Sequence, residues 1–513
     1  MKIYIREKSE VRSIEVTEDM RILDALQAAG ITSVHSPCGG NGTCKKCVVN
    51  VRAGDMNGPV LACQTKVEDG LIVELEPEVK MEVQQSGACE IYDADGSHPG
   101  LGIACDIGTT TVVCHLMDLT TGERIATVGA ANAQKIFGAD VIARINAATH
   151  GDLKKQHEAI CEQLNHMIRS LCDQTGRSLD EISYMAVCGN TTMEHLFTGL
   201  DPTGIGKAPF KPESLFGDEW DAKELGMPFD GKVYIVSSIA AYVGGDITAD
   251  VLSTSMRKMG DPVLMLDIGT NGEMAMGCGN SFVCCATAAG PAFEGATIKQ
   301  GMPASPGAIS EVSYEDGELK IKVIGDVAPT GICGSGLVDA IATMLDLGVI
   351  EYAGRLIDAD EADEETARFL SEGEDGNVFK LTPDGSVCIT QSDIRQIQLA
   401  KGSIAAGIIV MIGRYGIQME DLSELILAGG FGSYIRPKSA ARIGLIPPEL
   451  LEVTRAVGNA AGEGAVSAVI SAKAREDLAK CQKEMHYIEL SGDKAFNDAY
   501  VEQLMFDVEE EED

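Results

Sequence analysis

The sequence is short of positive charge. Its 513 residues include 41 Lys and Arg against 78 Asp and Glu, which gives a formal net charge of −37 at pH 7. A phosphate backbone would be repelled over most of such a surface. We therefore expect no nucleic-acid partner.

Long hydrophobic runs and an export signal are also lacking. The longest apolar runs, such as residues 404–412, stop well short of the 18 or more residues that a bilayer span needs. Residues 1–16 alternate apolar and polar side chains like a strand, without the apolar core and small-residue cleavage site of a signal peptide. We therefore expect a cytoplasmic protein that does not bind a membrane.

The sequence has 16 cysteines but lacks the context of a disulfide framework. The cytosol keeps thiols reduced, and a chain of this length with 45% hydrophobic residues can bury several cores without cross-links. Twelve of the cysteines stand among apolar neighbours, as Cys105, Cys188 and Cys333 do, where a free Cys behaves as a small buried hydrophobe. Only the spacing of the other four indicates a site.

These four cysteines form a loop typical of an iron–sulfur centre. Cys38, Cys44, Cys47 and Cys63 are separated by five, two and fifteen residues. Four thiolates are the number that a [2Fe–2S] cluster needs, and the three glycines between the first two cysteines would let backbone N–H groups point at the sulfurs. Zinc sites usually present two C-x₂₋₄-C pairs, whereas this loop has one. A zinc knuckle and unligated thiols are the less favoured alternatives.

Composition along the chain predicts one small module followed by two similar halves. Residues 1–80 form an α+β unit, with predicted strands at 2–5, 13–16, 48–51 and 71–75 and a helix at 22–29. A polar stretch rich in Gly, Ser and Asp follows and is expected to cross solvent as a linker. The remaining predicted divisions are the linker at 81–100, a first lobe at 101–260, a second lobe at 261–500 and an acidic tail at 501–513.

Two copies of Asp-Ile-Gly-Thr, about 160 residues apart, predict a duplicated nucleotide site. Each copy follows an apolar strand, so a carboxylate stands at the strand tip beside free N–H groups and hydroxyls. Such a turn can cradle phosphate while the carboxylate holds Mg²⁺ through water. One Asp-x-Gly turn alone is a common structural turn; duplication favours the functional interpretation. The candidate ligands are Asp106, Gly108, Thr109 and Thr110 in the first copy and Asp267, Gly269, Thr270, Asn271 and Gly272 in the second.

A third glycine-rich turn, with Gly429, Gly430 and Gly432, follows another apolar strand and leaves room for an adenine or ribose face. Over residues 101–470 the three turns resemble the two phosphate motifs and the adenosine motif of the actin, sugar kinase and chaperone ATPase superfamily. The resemblance implies a two-lobed α/β actin-like ATPase, built from duplicated ribonuclease H-like halves, that binds ATP with Mg²⁺. Hydrolysis also needs a group that orients water, for which Glu273 and Glu294 are candidates, although an exposed loop Glu is more often merely solvated.

The cysteine loop and the ATPase motifs together resemble reductive activators of corrinoid proteins. Segments 132–145, 188–193 and 290–295 look like segments of this family rather than of ATPases in general. The resemblance implies a ferredoxin-like domain of the β-grasp type followed by the actin-like ATPase. It also implies an ATP-hydrolysing enzyme in which the [2Fe–2S] cluster passes a low-potential electron to Co(II) corrinoid on a partner protein of a methyltransferase system, which regenerates Co(I).

The same resemblance suggests a ferredoxin, flavodoxin or reductase as electron donor, and a homodimer. Some activators of this kind carry carboxy-terminal four-iron clusters, but no Cys follows Cys481 here, so the electron route is expected to use the amino-terminal cluster. Two alternatives stay open. One is a small-molecule kinase of the sugar-kinase superfamily with a redox-sensing ferredoxin domain; the other is a non-catalytic sensor on an inactive ATPase scaffold.

Overall fold

Three principal β-sheets organise the part of the chain that the structure, a computed structural model, describes. The described residues are 1–7, 10–17, 19–29, 31, 34, 47–53, 56–75, 89–373, 376–432 and 434–507. The first sheet belongs to the amino-terminal module, and the other two belong to the predicted ATPase lobes.

The amino-terminal sheet has five strands in the order β2-β1-β5-β3-β4. Its elements are β1 Lys2–Glu7, β2 Glu10–Glu15, α1 Ile22–Ala28, β3 Val48–Ala53, β4 Met56–Leu61 and β5 Ile72–Leu75. Strands β1 and β5 are parallel and the other pairs are antiparallel. Ile22 and Leu26 of α1 pack into the same core as Ile3 and Val73 of the sheet. The five predicted elements are confirmed: their ends differ from the predicted ones by no more than two residues, except for the start of β2, which differs by three.

The second sheet has six strands in the order β10-β11-β9-β6-β7-β8. Its strands are β6 Leu101–Ile107, β7 Thr111–Asp118, β8 Arg124–Ala131, β9 Ile182–Gly189, β10 Glu219–Asp221 and β11 Lys232–Ile235. The accompanying helices are α2 Val141–Ala147, α3 Leu153–Thr175, α4 Thr191–Thr198 and α5 Gly245–Ser253. Leu164 and Leu171 of α3 pack on one face of this sheet.

The third sheet has the order β22-β21-β12-β13-β14-β23, and two small three-stranded sheets lie between β14 and the long helix that follows them. The strands are β12 Val263–Ile268, β13 Gly272–Cys278, β14 Ser281–Thr287, β15 Ala308–Glu315, β16 Glu318–Val323, β17 Gly331–Ile332, β18 Leu370–Gly373, β19 Gly376–Lys380, β20 Cys388–Thr390, β21 Glu424–Ala428, β22 Thr454–Gly458 and β23 Met485–Tyr487. The helices are α6 Gly334–Asp346, α7 Gln391–Tyr415, α8 Gly429–Gly432, α9 Pro437–Arg442, α10 Ala460–Ile470, α11 Ala472–Glu484 and α12 Lys494–Gln503.

The two large sheets repeat one topology. In each, three antiparallel strands follow one another, and two further strands then add in parallel beside the first strand of that set. The repeated orders are β8-β7-β6-β9-β11 and β14-β13-β12-β21-β22. Asp106 and Asp267 occupy equivalent places near the ends of β6 and β12. The duplicated ribonuclease H-like architecture is therefore confirmed.

Two helices cross between the large sheets. Helix α5 follows the second sheet in sequence, yet its Ile247 and Val251 pack with Met265 of the third sheet. Helix α10 follows β22 of the third sheet, yet its Val469 packs with Ala104 of the second sheet. The two helices touch so closely that a Cβ on Gly464 would overlap the carbonyl oxygen of Ala249. The two crossing helices therefore join the two lobes.

Residues 89–98, called the strap below, lie along this junction. The strap falls inside the segment expected to cross solvent, but its backbone bonds to both crossing helices. The bonds are Glu90 N to Ser253 O at 2.8 Å, Tyr92 N to Ser467 Oγ at 3.2 Å and Asp95 N to Ile470 O at 3.2 Å. The ring of His98 stacks on Tyr184 of β9 at 3.7 Å between centroids. The strap therefore connects to the end of α5 and to α10 at once.

Among the described residues, α7 alone is long and apolar enough to cross a bilayer, and 78% of its apolar window is buried inside the protein. The run 404–412 lies in this helix. Of the twelve cysteines outside the cluster loop, nine are buried and three are half-buried, as their apolar neighbours predicted.

Candidate functional site

The two Asp-Ile-Gly-Thr turns meet at one carboxylate. The Thr110 hydroxyl donates a hydrogen bond to Glu294 Oε2 at 2.5 Å, and the Thr270 hydroxyl donates one to Glu294 Oε1 at 2.6 Å. Thr110 belongs to the turn of the second sheet and Thr270 to the turn of the third. The structure thus brings predicted phosphate contacts from both halves to the two oxygens of one side chain.

Asp106 and Asp267 are buried near one another in the cleft between the halves, and the charge of Asp267 acts on Asp106. Burial raises the pKa of Asp106 to about 7, the charge of Asp267 adds to the rise, and a hydrogen bond with the Asn459 side chain opposes it. Burial likewise raises the pKa of Asp267 to about 6. Two carboxyl groups that are costly to ionise together provide a favourable place for a cation.

Helix α5 adds two acids that the sequence analysis missed. Asp246, in its first turn, has a pKa raised to about 8 by burial and then by the charges of Asp267 and Asp106. One helical turn later Asp250 is fully buried, and burial together with the charge of Asp267 raises its pKa well above the usual range. The sequence signal that could have identified Asp246 is the pair of glycines directly before it. Only glycines allow this end of the helix to approach β9 and α4 so closely, which marks a position where a buried acid can reach the site.

Glu273, a predicted water-orienting residue, faces the same cluster. It lies directly opposite Asp267 in the β12–β13 pairing and is 8% exposed. Burial, followed by the charges of Asp246 and Asp267, raises its pKa well above the usual range. The alternative that this Glu is merely solvated on an exposed loop does not hold, since the side chain is buried on β13.

The two Asp-Ile-Gly-Thr segments, residues 106–109 and 267–270, are called the first and second phosphate turns below. Three side chains from distant segments form hydrogen bonds with the first of them. Asn132 Nδ2 donates to Gly108 O at 2.8 Å, Arg144 Nη2 donates to Thr109 O at 2.5 Å, and Asn190 Nδ2 donates to Thr109 Oγ1 at 2.9 Å. Asn132 and Arg144 belong to segment 132–145, and Asn190 belongs to segment 188–193. Together with Glu294 of segment 290–295, all three family-like segments of the sequence converge on this turn.

The predicted adenosine turn contacts the second Asp. Gly429 has φ +87°, and a Cβ at this position would overlap Asp267 Oδ1. Only glycine therefore permits this approach. A Cβ at Gly430 would meet nothing within 4 Å, which leaves the open space that a nucleoside face needs.

Two of the four predicted cluster cysteines are described. Cys47 and Cys63 are buried with their sulfurs 3.2 Å apart, and Gln64 Nε2 lies 3.7 Å from Cys63 Sγ as a donor. Two adjacent thiols with an N–H group directed at one sulfur fit the ligands and surroundings of an iron–sulfur cluster. Cys38 and Cys44 lie outside the described residues. Within those residues no three His, Cys, Asp or Glu are arranged to hold a metal ion.

Family comparisons cover nearly the whole chain. The family described as a 2Fe-2S iron-sulfur cluster binding domain matches residues 5–68. The RACo middle region matches residues 101–259, and the C-terminal domain of RACo, described as the ASKHA domain, matches residues 261–513. The fold class predicted from the sequence, a ferredoxin-like domain followed by an actin-like ATPase domain, is therefore confirmed.

Individual relatives agree with this assignment. The chain is 32% identical to the corrinoid activation enzyme RamQ of Eubacterium limosum, over 96% of this chain and 97% of that protein. It is 26% identical to the [Co(II) methylated amine-specific corrinoid protein] reductase of Methanosarcina barkeri, over 79% and 77% of the two chains. The solved structure of a reductive activator for corrinoid, iron-sulfur protein matches with a TM-score of 0.72 and 31% identity, over 98% of both chains. The protein therefore belongs to the family of reductive activators of corrinoid proteins.

Proposed function

We propose that this protein uses ATP to drive the reduction of a Co(II) corrinoid, bound to a partner protein of a methyltransferase system, to Co(I). The observation that supports the proposal most is the pairing, in one chain, of a buried cysteine pair in a ferredoxin-like sheet with a two-sided phosphate site. Electron transfer alone would need only the first, and a kinase only the second.

Cys38, Cys44, Cys47 and Cys63 would hold the [2Fe–2S] cluster, which supplies one electron at low potential when bound. The potential of plant-type clusters is about −400 mV, and reduction of Co(II) to Co(I) is harder still, so the electron transfer is unfavourable. For one electron, a potential difference of 59 mV changes the equilibrium constant tenfold, or by about 1.4 kcal/mol. The few kcal/mol needed are therefore within what nucleotide binding can supply. The role of the chain is then to favour the complex in which transfer occurs.

The nucleotide would bind between the two Asp turns. Asp106 and Asp267 would hold Mg²⁺ together with ATP, and Thr109, Thr110 and Thr270 would contact phosphates. Asp246 is a candidate acceptor for the proton of an attacking water, because its carboxyl group is near enough to both Asp267 and Asp106 to feel their charges. Glu273, buried on the strand next to Asp267, would position the cluster of acids rather than the water.

The experiment that tests this function mixes the protein with a Co(II) corrinoid partner and a low-potential reductant. A Co(I) absorbance spectrum that appears only with Mg·ATP supports the proposal. The Cys63→Ser variant should lose both the visible cluster absorbance and Co(I) formation, while its ATP affinity stays unchanged. ATP consumption that rises with a polyol or acid substrate, without Co(I), would instead favour the kinase alternative.

A further inference from the structure

The carboxylate of Glu294 lies where the two predicted phosphate contacts converge. It accepts from Thr110 at 2.5 Å and from Thr270 at 2.6 Å, so each of its oxygens is paired with a hydroxyl of one half of the site. Two acceptor oxygens on a negative group are also what a phosphate would present to these hydroxyls. Glu294 and a phosphate therefore cannot satisfy both hydroxyls at the same time.

A buried cation, Arg144, interacts electrostatically with this carboxylate. Arg144 is fully buried, and its guanidinium donates to three neutral acceptors: Gly138 O at 3.1 Å, Thr109 O at 2.5 Å and Met193 Sδ at 3.0 Å. In the part of the chain that the structure describes, it forms no ion pair. A buried charge is costly unless an opposite charge is near, and the acids that stabilise Arg144 electrostatically are Glu294 first and Asp140 second.

The turn that carries Glu294 has a fixed backbone. Gly295 N donates to Ala292 O at 2.9 Å and Ala296 N donates to Pro291 O at 3.1 Å. A Cβ at Gly295, which has φ +76°, would lie 2.7 Å from Met302 N, so neighbouring backbone packs directly against the turn. Exchange at this position therefore needs a rotation of the Glu294 side chain and no rearrangement of the loop.

We propose that Glu294 is an internal occupant of the phosphate subsite, which the terminal phosphates of the nucleotide displace, and that Arg144 is the cation that balances either one. The proposal rests on the nucleotide binding of the proposed function. It gives Glu294 a role other than the expected orientation of the attacking water: the carboxylate closes the site, and displacement by the nucleotide releases it from both threonines.

Calorimetric titration with Mg·ADP and with a non-hydrolysable Mg·ATP analogue tests this exchange. Removing a competing carboxylate frees both hydroxyls, so Glu294→Ala should lower the Kd for the triphosphate analogue about tenfold, and Glu294→Gln, which can still accept a hydrogen bond, should lower it less. An unchanged or raised Kd in Glu294→Ala would overturn the proposal, because a residue that binds the phosphate or its cation loses affinity on truncation.

The exposed Glu123 provides the matched control. It lies in the turn at the far end of the β7–β8 pair from Thr111, so Glu123→Ala removes one negative charge without touching the site. Its Kd should equal that of the wild type. A Kd lowered as much as in Glu294→Ala would assign the effect to net charge and reject displacement.

Arg144 is tested by the dependence of affinity on phosphate charge. Arg144→Gln, which removes the positive charge, should weaken binding most for the triphosphate analogue, less for ADP and least for adenosine, and Arg144→Lys, which keeps the charge, should show a smaller gradient. Equal losses for all three ligands would indicate a structural role alone and would overturn this part. If the wild type binds nucleotide but Glu294→Ala does not tighten it, only this inference fails; if Glu294→Ala tightens binding but no Co(I) forms, the proposed function fails instead.

Discussion

The two phosphate turns occupy equivalent places in one repeated topology, but different forces hold them. Polar side chains from remote segments fix the first turn, with Asn132 on Gly108 O and Asn190 on Thr109 Oγ1. The second turn is held by packing, since a Cβ on Gly272 would lie 2.7 Å from Ile404 Cγ1 of α7 and 2.8 Å from Thr287 Oγ1. Duplication has preserved the strand order and the carboxylate while the supports have diverged.

This difference predicts that the first turn is sensitive to the loss of single hydrogen bonds and the second to the loss of buried volume. The chemistry should nevertheless need both turns equally, because each contributes one carboxylate and one threonine to the same cleft. The following predictions separate chemistry from support.

The largest expected effect is on turnover. Asp106→Asn and Asp267→Asn should each lower ATP-dependent Co(I) formation by about 100-fold or more, because each removes a carboxylate that would hold the cation on the phosphates. The rate at which the Co(I) absorbance appears with Mg·ATP, measured beside steady-state ATP hydrolysis, checks this. A large loss in one variant and none in the other would show that the halves are not chemically equivalent.

The second turn should depend on Ile404, which is fully buried in α7. Ile404→Ala should lower the free energy of unfolding by about 2–4 kcal/mol, since it opens a cavity beneath Gly272. Denaturant titration measures the change. Leu399→Ala on the same helix is the control, because Leu399 is 45% exposed and its truncation should cost less than about 1 kcal/mol.

The contribution of Asp106 to the stability of the Mg²⁺-free and nucleotide-free protein should fall as pH rises from about 4 to about 7. Burial raises the pKa of Asp106 to about 7, so the folded chain holds this proton more tightly than the unfolded chain does. The corresponding stability is present at low pH and is lost as pH rises through the folded pKa.

Asp106→Asn should therefore gain in Tm over the wild type from pH 5 to about pH 7 and then level off. For Asp267→Asn the gain should level off nearer pH 6. Scanning calorimetry in EDTA checks both variants. A Tm difference that does not change with pH would contradict the assignment of these protons.

The smallest expected effect is on the support of the first turn. Asn190→Ala should weaken nucleotide binding by about 1 kcal/mol, or about fivefold, because Thr109 loses the partner that orients its hydroxyl. Thr287→Val is the matched change at the second turn, where it removes the bond from Thr287 Oγ1 to Gly272 O at 3.2 Å but preserves shape. Its effect on the Kd should be smaller, and an equal loss would remove the contrast between the turns.

Local sequence predicted the parts of the site that are local in the chain. A strand, a tight turn and a second strand around Asp106 follow from hydrophobic runs and a glycine, and the duplicated Asp-Ile-Gly-Thr predicted two alike halves. Arg144, Asn190 and Asp246 could not be assigned in this way, since they reach the turn from 35 to 140 residues away and only the folded topology brings them there. The segments that hold Arg144 and Asn190 were recognised as family-like, but no rule of spacing gave them a role.

The position of α5 between the two large sheets was hidden for the same reason. Its sequence predicts a helix, but nothing in the pattern says which sheet the helix will cover. The cluster site, in contrast, is predicted from the spacing of its four cysteines alone. The two of them that the structure describes, Cys47 and Cys63, have adjacent sulfur atoms. Cys38 and Cys44 stay predictions.

The strap is hydrogen-bonded to both of the helices that cross between the lobes. Because residues 89–98 bond to Ser253 at the end of α5 and to Ser467 and Ile470 on α10, a change in the angle between these helices must stretch one set of bonds relative to the other. The hydrogen bonds of the strap therefore resist a change in the angle between the two helices, so that opening or closing of the cleft between the lobes would require at least one of these bonds to lengthen.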